Sequence, residues 1–231
     1  MDDLAFRLQD IRARIAEAAA CSGRPASAVR LLAVSKTQPA AAIAAAAADG
    51  QRAFGESRVP EALAKMDALH DARLEWHFLG ALQRNKARLI AGRFHWLHSL
   101  ESLAGAEALS RHLSACQATL RVLIEINVTG APSRHGLAPE ALFSFLEAYT
   151  RRSWPGLTLC GLMAMGPQGA PAGEIRDAFA RVRELAWAAR DTFGLPGFEE
   201  LSMGMSADFE LAIAEGATIV RVGQALFGGR P

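Results

Sequence analysis

Lysine is scarce in this sequence: of 25 basic residues only Lys36, Lys65 and Lys86 are lysines, the rest being arginines. Arginine serves wherever a generic positive charge is needed, so each lysine raises a chemical question. A lysine can lose its proton and form a Schiff base where its surroundings disfavour the ammonium, and arginine can do neither. Tyrosine is scarcer still, with Tyr149 alone. Cys21, Cys116 and Cys160 are widely spaced, with no C-x-x-C pair and no histidine at ligand spacing, which leaves reduced thiols and excludes a disulfide framework or a cysteine metal site. No apolar run reaches the roughly 18 residues needed to cross a bilayer, and Asp2 and Asp3 open the chain, so a cytoplasmic protein without a membrane partner is expected. The formal net charge of +1 lacks the field that gathers nucleic acid, which is not expected as a partner either. No G-x-G-x-x-G turn follows the first strand-like run, so a dinucleotide-binding open sheet has no support.

What is present is alternation. Leu4, Leu8, Ile11 and Ile15 recur at helical spacing and predict an amphipathic helix over 3–20, an outer cover preceding the first strand. Strand-like runs follow near 30–35, 52–55, 74–79, 95–98, 121–128, 157–163, 199–203 and 218–222. Between them lie helix-length segments near 40–49, 60–69, 84–91, 101–115, 138–150, 173–193 and 207–215. Eight strands alternating with helices imply a parallel sheet. The nearly continuous apolar character of 121–128 and 157–163 fits strands covered on both faces. The expected fold is a single α/β domain over 1–231, a (β/α)8 TIM barrel with an extra N-terminal helix.

Active residues of such barrels lie at the C-terminal ends of the strands and in the loops that follow. Lys36 stands there, directly after Leu31-Leu32-Ala33-Val34; taken alone it could equally be a surface lysine opening a loop. The last two strands are followed by Ser202-Met203-Gly204-Met205-Ser206 and by Val222-Gly223-Gln224-Ala225, small-residue loops of the kind that bring backbone N–H groups to a phosphate. Ser206 reads as a helix N-cap with Asp208 in the first turn. Arg221 alternates with Val220 and Val222, so it points to one face of the strand and they to the other, as a cofactor ligand or as a structural arginine paired with a carboxylate. His95 and His98 frame Trp96 on a strand without partners for a metal, and His77 reads as a satisfied structural histidine, so no metal site is expected.

Several segments together resemble the YggS/PROSC-type pyridoxal phosphate homeostasis family, whose barrel is similar to the N-terminal domain of alanine racemase. They are Leu32-Ala33-Val34-Ser35-Lys36-Thr37, Phe54-Gly55-Glu56, Trp76-His77-Phe78-Leu79-Gly80, Gly161-Leu162-Met163-Ala164-Met165, Ser202 to Ser206 with Asp208, and Val220-Arg221-Val222-Gly223. The resemblance implies a fold-type III barrel that holds pyridoxal 5'-phosphate (PLP) as a Schiff base on Lys36. It implies a phosphate held by Ser206, Gly223 and Gln224, Arg221 facing the pyridine nitrogen, and Met163, Ser202 and Met205 around the cofactor. It further implies a monomer acting in PLP buffering and delivery, with apo PLP-dependent enzymes as recipients, and no catalytic residue. Two positions depart from the family pattern: Ser57 stands where asparagine is usual, which removes reach toward the cofactor, and Arg134 where lysine is usual, which argues against transfer through that position. The alternative is a fold-type III amino-acid racemase, which needs a second acid/base opposite the lysine. In alanine racemase-like enzymes that group is a tyrosine carried by a second domain; here the sequence ends at Pro231 and Tyr149 falls on an expected outer helix.

Overall fold

The computed structural model describes residues 2–229. Eight parallel strands close into a barrel in chain order: β1 (Arg30–Val34), β2 (Ala53–Glu56), β3 (Glu75–Phe78), β4 (Trp96–Leu100), β5 (Leu120–Ile126), β6 (Leu157–Ala164), β7 (Glu200–Ser202) and β8 (Ile219–Val222). Closure is made by β1 against β8, with Leu32 opposite Arg221 and Ala33 opposite Val222. All eight expected strands are present, each within about two residues of its sequence-based range.

The helices form the outer layer: α1 (Asp2–Cys21), α2 (Ala40–Ala48), α3 (Val59–Leu69), α4 (Ala87–Ile90), α5 (Leu103–Cys116), α6 (Leu142–Thr150), α7 (Ala172–Phe193), α8 (Phe209–Ala214) and α9 (Gln224–Phe227). In α1 the residues Leu8, Ile11, Ile15 and Ala19 are buried on one stripe, which lies across α2, α8 and α9. Arg14 pins the helix by donating to Glu210 from Nε at 2.8 Å, with its guanidinium 4.7 Å from the centre of the Phe209 ring. Ser102 caps α5, its hydroxyl accepting from Gly105 N at 3.1 Å.

Strand alternation sorts side chains between two cores. Outward residues such as Phe54, Val122, Leu162 and Val220 join the helices in the large outer core. Leu32, Ala53, Trp96, Leu123, Cys160, Met163 and Ile219 fill the barrel axis. The axis is not all apolar: His77, His98, Ser202 and Arg221 are buried within it. No helix among the described residues is long and apolar enough to cross a membrane.

Candidate functional site

Two cavities open at opposite ends of the barrel. The one at the N-terminal ends of the strands, about 440 Å³, is lined by Arg12, Arg30 and Arg52 among others. Two of these arginines already have partners: Arg12 donates to Asp49 O and Arg52 to Ala47 O, satisfying carbonyls at the end of α2. The cavity at the C-terminal ends, about 730 Å³, is the larger, and it gathers residues from the strand ends and following loops. Seven of the eight residues marked in the sequence line it: Lys36, Met163, Met205, Ser206, Arg221, Gly223 and Gln224.

Lys36 leaves the end of β1 with both neighbours tied down. Ser35 N continues the ladder to Gly55 O at 2.9 Å, and Ser35 Oγ donates to Glu56 Oε1 at 2.6 Å. The buried Lys65 donates to Ser35 O at 2.8 Å, to Glu56 Oε1 at 2.8 Å and to Glu61 Oε1 at 2.6 Å. On the other side Thr37 N donates to Glu61 Oε1 at 2.5 Å, and Thr37 takes φ of 66°, a left-handed conformation that costs a non-glycine residue about 1–2 kcal/mol. Burial raises the Glu56 carboxyl above its ordinary range, against the hydrogen bonds from Lys65 and Ser35 that favour its charge. Lys65 and Glu61 thus hold the backbone on either side of Lys36, with Glu56 holding the Ser35 hydroxyl, while Lys36 itself lines the cavity. Lys65, enclosed in that cluster, and Lys86, in a short 3-10 turn, do not line it.

The loops after β7 and β8 meet at Ser206. The serine is not the cap of α8, as the sequence suggested: that helix begins at Phe209 with Asp208 in the cap position, and Asp208 Oδ1 instead accepts from Met205 N at 2.6 Å. Ser206 Oγ accepts from Ala225 N at 3.2 Å, joining one loop to the first turn of α9. Among the described residues the backbone N–H groups of Ser206, Ala207, Gly223 and Gln224 have no hydrogen-bond partner. Gly204 makes the turn possible, with φ of 84° and Phe209 Cα 2.8 Å from where a Cβ would stand. At Gly223 a Cβ would come within 3.1 Å of Val34 O, so glycine lets the backbone lie close beside β1 without displacing it. The result is a concave cluster of free N–H donors flanked by one hydroxyl, the chemistry of an anion site.

Arg221 reaches the cavity from inside the barrel. Its Nη1 donates to Ser202 O at 2.6 Å and to Ser202 Oγ at 2.8 Å, and its Nη2 to Ala164 O at 2.9 Å. Of five guanidinium N–H groups, Nε and one on Nη2 remain, and Arg221 lines the cavity. Burial lowers its pKa to about 10, which still leaves it charged at neutral pH. Among the described residues no carboxylate is within hydrogen-bonding distance of it, so no structural ion pair is formed there.

Ser202 is the correction to the sequence-based set. It is fully buried and does not line the cavity; it stands below Arg221 as its acceptor. Sequence reading also passed over the polar column beneath it. His98 Nδ1 is 2.9 Å from Ser202 Oγ, and His98 Nε2 is 2.9 Å from His77 Nδ1. Burial holds both imidazoles well below their usual pKa, hence neutral. Inward alternation of His77 and His98 was the available signal, but it could not say that the two rings meet. Of the two departures from the family pattern, Ser57 lines the cavity and Arg134 does not. Tyr149 is buried in α6 between Phe145 and Trp154, where burial raises its pKa to about 12, and it too is away from the cavity.

Comparison with known proteins gives the family and the fold. Residues 6–231 match the family described as alanine racemase, N-terminal domain. The chain is 46% identical to the pyridoxal phosphate homeostasis protein of Pseudomonas aeruginosa, over all of this chain and 97% of that protein. Among solved structures, PipY of Synechococcus elongatus PCC7942 with PLP bound is 41% identical with a TM-score of 0.85, covering 97% of this chain and all of the other. Alanine racemase from Corynebacterium glutamicum shares the fold at 21% identity and a TM-score of 0.74, covering all of this chain and 62% of that one. A closed barrel with a lysine at the end of β1, matched along its whole length by these relatives, belongs to the pyridoxal phosphate homeostasis protein family.

Proposed function

We propose that this protein binds PLP covalently through Lys36 and serves in cytoplasmic PLP homeostasis, buffering and delivering the cofactor. The observation that carries the reading is the convergence, in one cavity, of an open lysine, a cluster of free backbone N–H groups and a charged arginine with spare donors. The residues fit the group. The N–H cluster with Ser206 suits a phosphate, Lys36 an aldehyde, and Arg221 the lone pair of a ring nitrogen, while Met163 and Met205 offer apolar walls. The structure of PipY with PLP bound and the name carried by the Pseudomonas relative support the same assignment.

Bound there, PLP supplies an aldehyde that an amine can hold and a ring that withdraws electrons strongly when its nitrogen is protonated. Arg221 donates to that nitrogen without giving up its proton, so it orients the ring and opposes ring protonation. The N–H cluster retains the phosphate by charge-assisted hydrogen bonds. No tyrosine lines the cavity among the described residues, which disfavours a two-sided proton transfer and favours a monomeric carrier that passes PLP to apo-enzymes.

The test is an absorbance spectrum of the PLP-loaded protein before and after borohydride, followed by peptide mass mapping. The expected result is a pyridoxyl group on Lys36. A label on Lys65 or Lys86 with Lys36 free would overturn the assignment.

A further inference from the structure

The cavity is lined by Arg221, but the direction of its free donors is set deeper in the barrel. Its guanidinium plane is held by three acceptors: Ser202 O, Ala164 O and Ser202 Oγ. The two carbonyls are fixed by the strands. The hydroxyl is a rotor, and its proton could point at the guanidinium and repel it.

The neighbouring ring removes that freedom. Ser202 Oγ accepts from Arg221, so its own proton goes to His98 Nδ1, 2.9 Å away. His98 then carries its proton on Nε2 and donates to His77 Nδ1 at 2.9 Å. His77 in turn carries its proton on Nε2, which is buried without a hydrogen-bond partner and lies 3.7 Å from Glu75 Oε1. Glu75 Oε1 also accepts from the Trp96 indole, and Trp96 stacks on His77 with planes 4° apart. The reverse direction is worse at both ends. It leaves the Ser202 hydroxyl proton without an acceptor among the described residues and turns a bare imidazole lone pair toward a carboxylate. The column therefore has one polarity, from Arg221 down to Glu75.

We propose that His98 is a positioning residue for the cofactor site: by taking the Ser202 hydroxyl proton it turns the oxygen's lone pairs toward Arg221 and so aims the arginine's remaining donors into the cavity. His77 fixes the tautomer of His98 that makes this possible. The proposal rests on the PLP reading for its consequence, but the geometry it describes exists in the PLP-free protein.

Two readouts separate them. In the PLP-free protein, hindered rotation of the Arg221 guanidinium should give distinct Nη signals by NMR. These should merge in His98→Leu and in Ser202→Ala and stay distinct in His98→Asn, whose amide oxygen replaces Nδ1. In PLP titrations His98→Leu should bind about tenfold more weakly than the parent, the scale of one lost hydrogen bond to a charged donor. His98→Asn should bind within about twofold of the parent. Adding His98→Leu to Arg221→Met should cost nothing further, because the effect passes through the arginine. Should His98→Leu fail to fold, Ser202→Ala breaks the same link with little change of volume. The inference is overturned if folded His98→Leu or Ser202→Ala keeps distinct Arg221 signals and parental PLP affinity. It is equally overturned if His98→Leu weakens binding by the same factor with and without Arg221. Failure of the parent to bind PLP would sink the proposed function, and the NMR result would still decide the inference.

Discussion

At the scale of single residues, environment separates chemically identical groups. Lys36 and Lys65 stand on either side of the same backbone segment, yet one opens to the cavity and the other is enclosed by Glu56, Glu61 and Ser35 O. Glu125 shows the same principle for a carboxyl. It points into the barrel from β5, beside Met163 in the ladder, and burial, with repulsion from Glu101, raises its pKa from 4.5 to about 7. The folded protein then holds this proton at pH values where the unfolded chain has released it. Stability should fall as pH rises from about 4.5 to 7, by on the order of 2–3 kcal/mol at about 1.4 kcal/mol per pH unit. His77 and His98, buried with lowered pKa, act in the opposite sense, since stability recovers as pH approaches their unfolded value near 6.5. Comparing Glu125→Gln with the parent cancels the histidines: denaturant unfolding should show the variant gaining relative stability from pH 4.5 to 7 and none below. A constant difference across that range would refute the raised pKa.

At the scale of elements, the site is a meeting of loops. Ser206 both faces the cavity and accepts from Ala225 N, so Ser206→Ala removes an anion contact and releases the first turn of α9. PLP affinity should drop at least about tenfold, as for a charge-assisted hydrogen bond worth roughly 1.5–3 kcal/mol, and pyridoxal lacking the phosphate should bind equally poorly to both proteins. Pyridoxal retained as well as PLP by the parent would exclude a phosphate site here. How much of this was legible in the sequence follows from what each signal encodes. The strands β5 and β6 announce themselves by unbroken apolar runs, and Arg221 by its place between two valines. The misreading of Ser206 came from local chemistry that fits two helices: a serine before Asp208 resembles a cap, but its actual partner is 19 residues onward. The position of Ser202, and the meeting of His77 with His98 from neighbouring strands, depend on barrel closure and stagger, which no local pattern records.

At the scale of the whole molecule, the barrel presents Lys36 to only one visible set of partners, with no tyrosine at the cavity among the described residues. PLP-loaded protein incubated with L-alanine or D-alanine in deuterated water should therefore form negligible amounts of the opposite enantiomer, while PLP should pass to an added apo-enzyme. Interconversion in the usual enzyme range of about 1–1000 per second would refute the carrier reading and reveal a second base. The closure that builds this site also fixes when it can exist. The ladder joins β1 to β8, and α1 rests on α8 and α9 as well as α2, so α1 and β1 wait for partners translated after β7. Until β8 and α9 have emerged, the apolar stripe of α1 is covered only in part and the β8-facing edge of β1 is unpaired, a state exposed to wrong pairing. Arg221 and the second anion loop come with β8, and the first anion loop just before it. Cofactor capture then waits for β8, and a nascent chain stalled before it should carry Lys36 but lack Arg221, Gly223 and Gln224, and so keep PLP poorly.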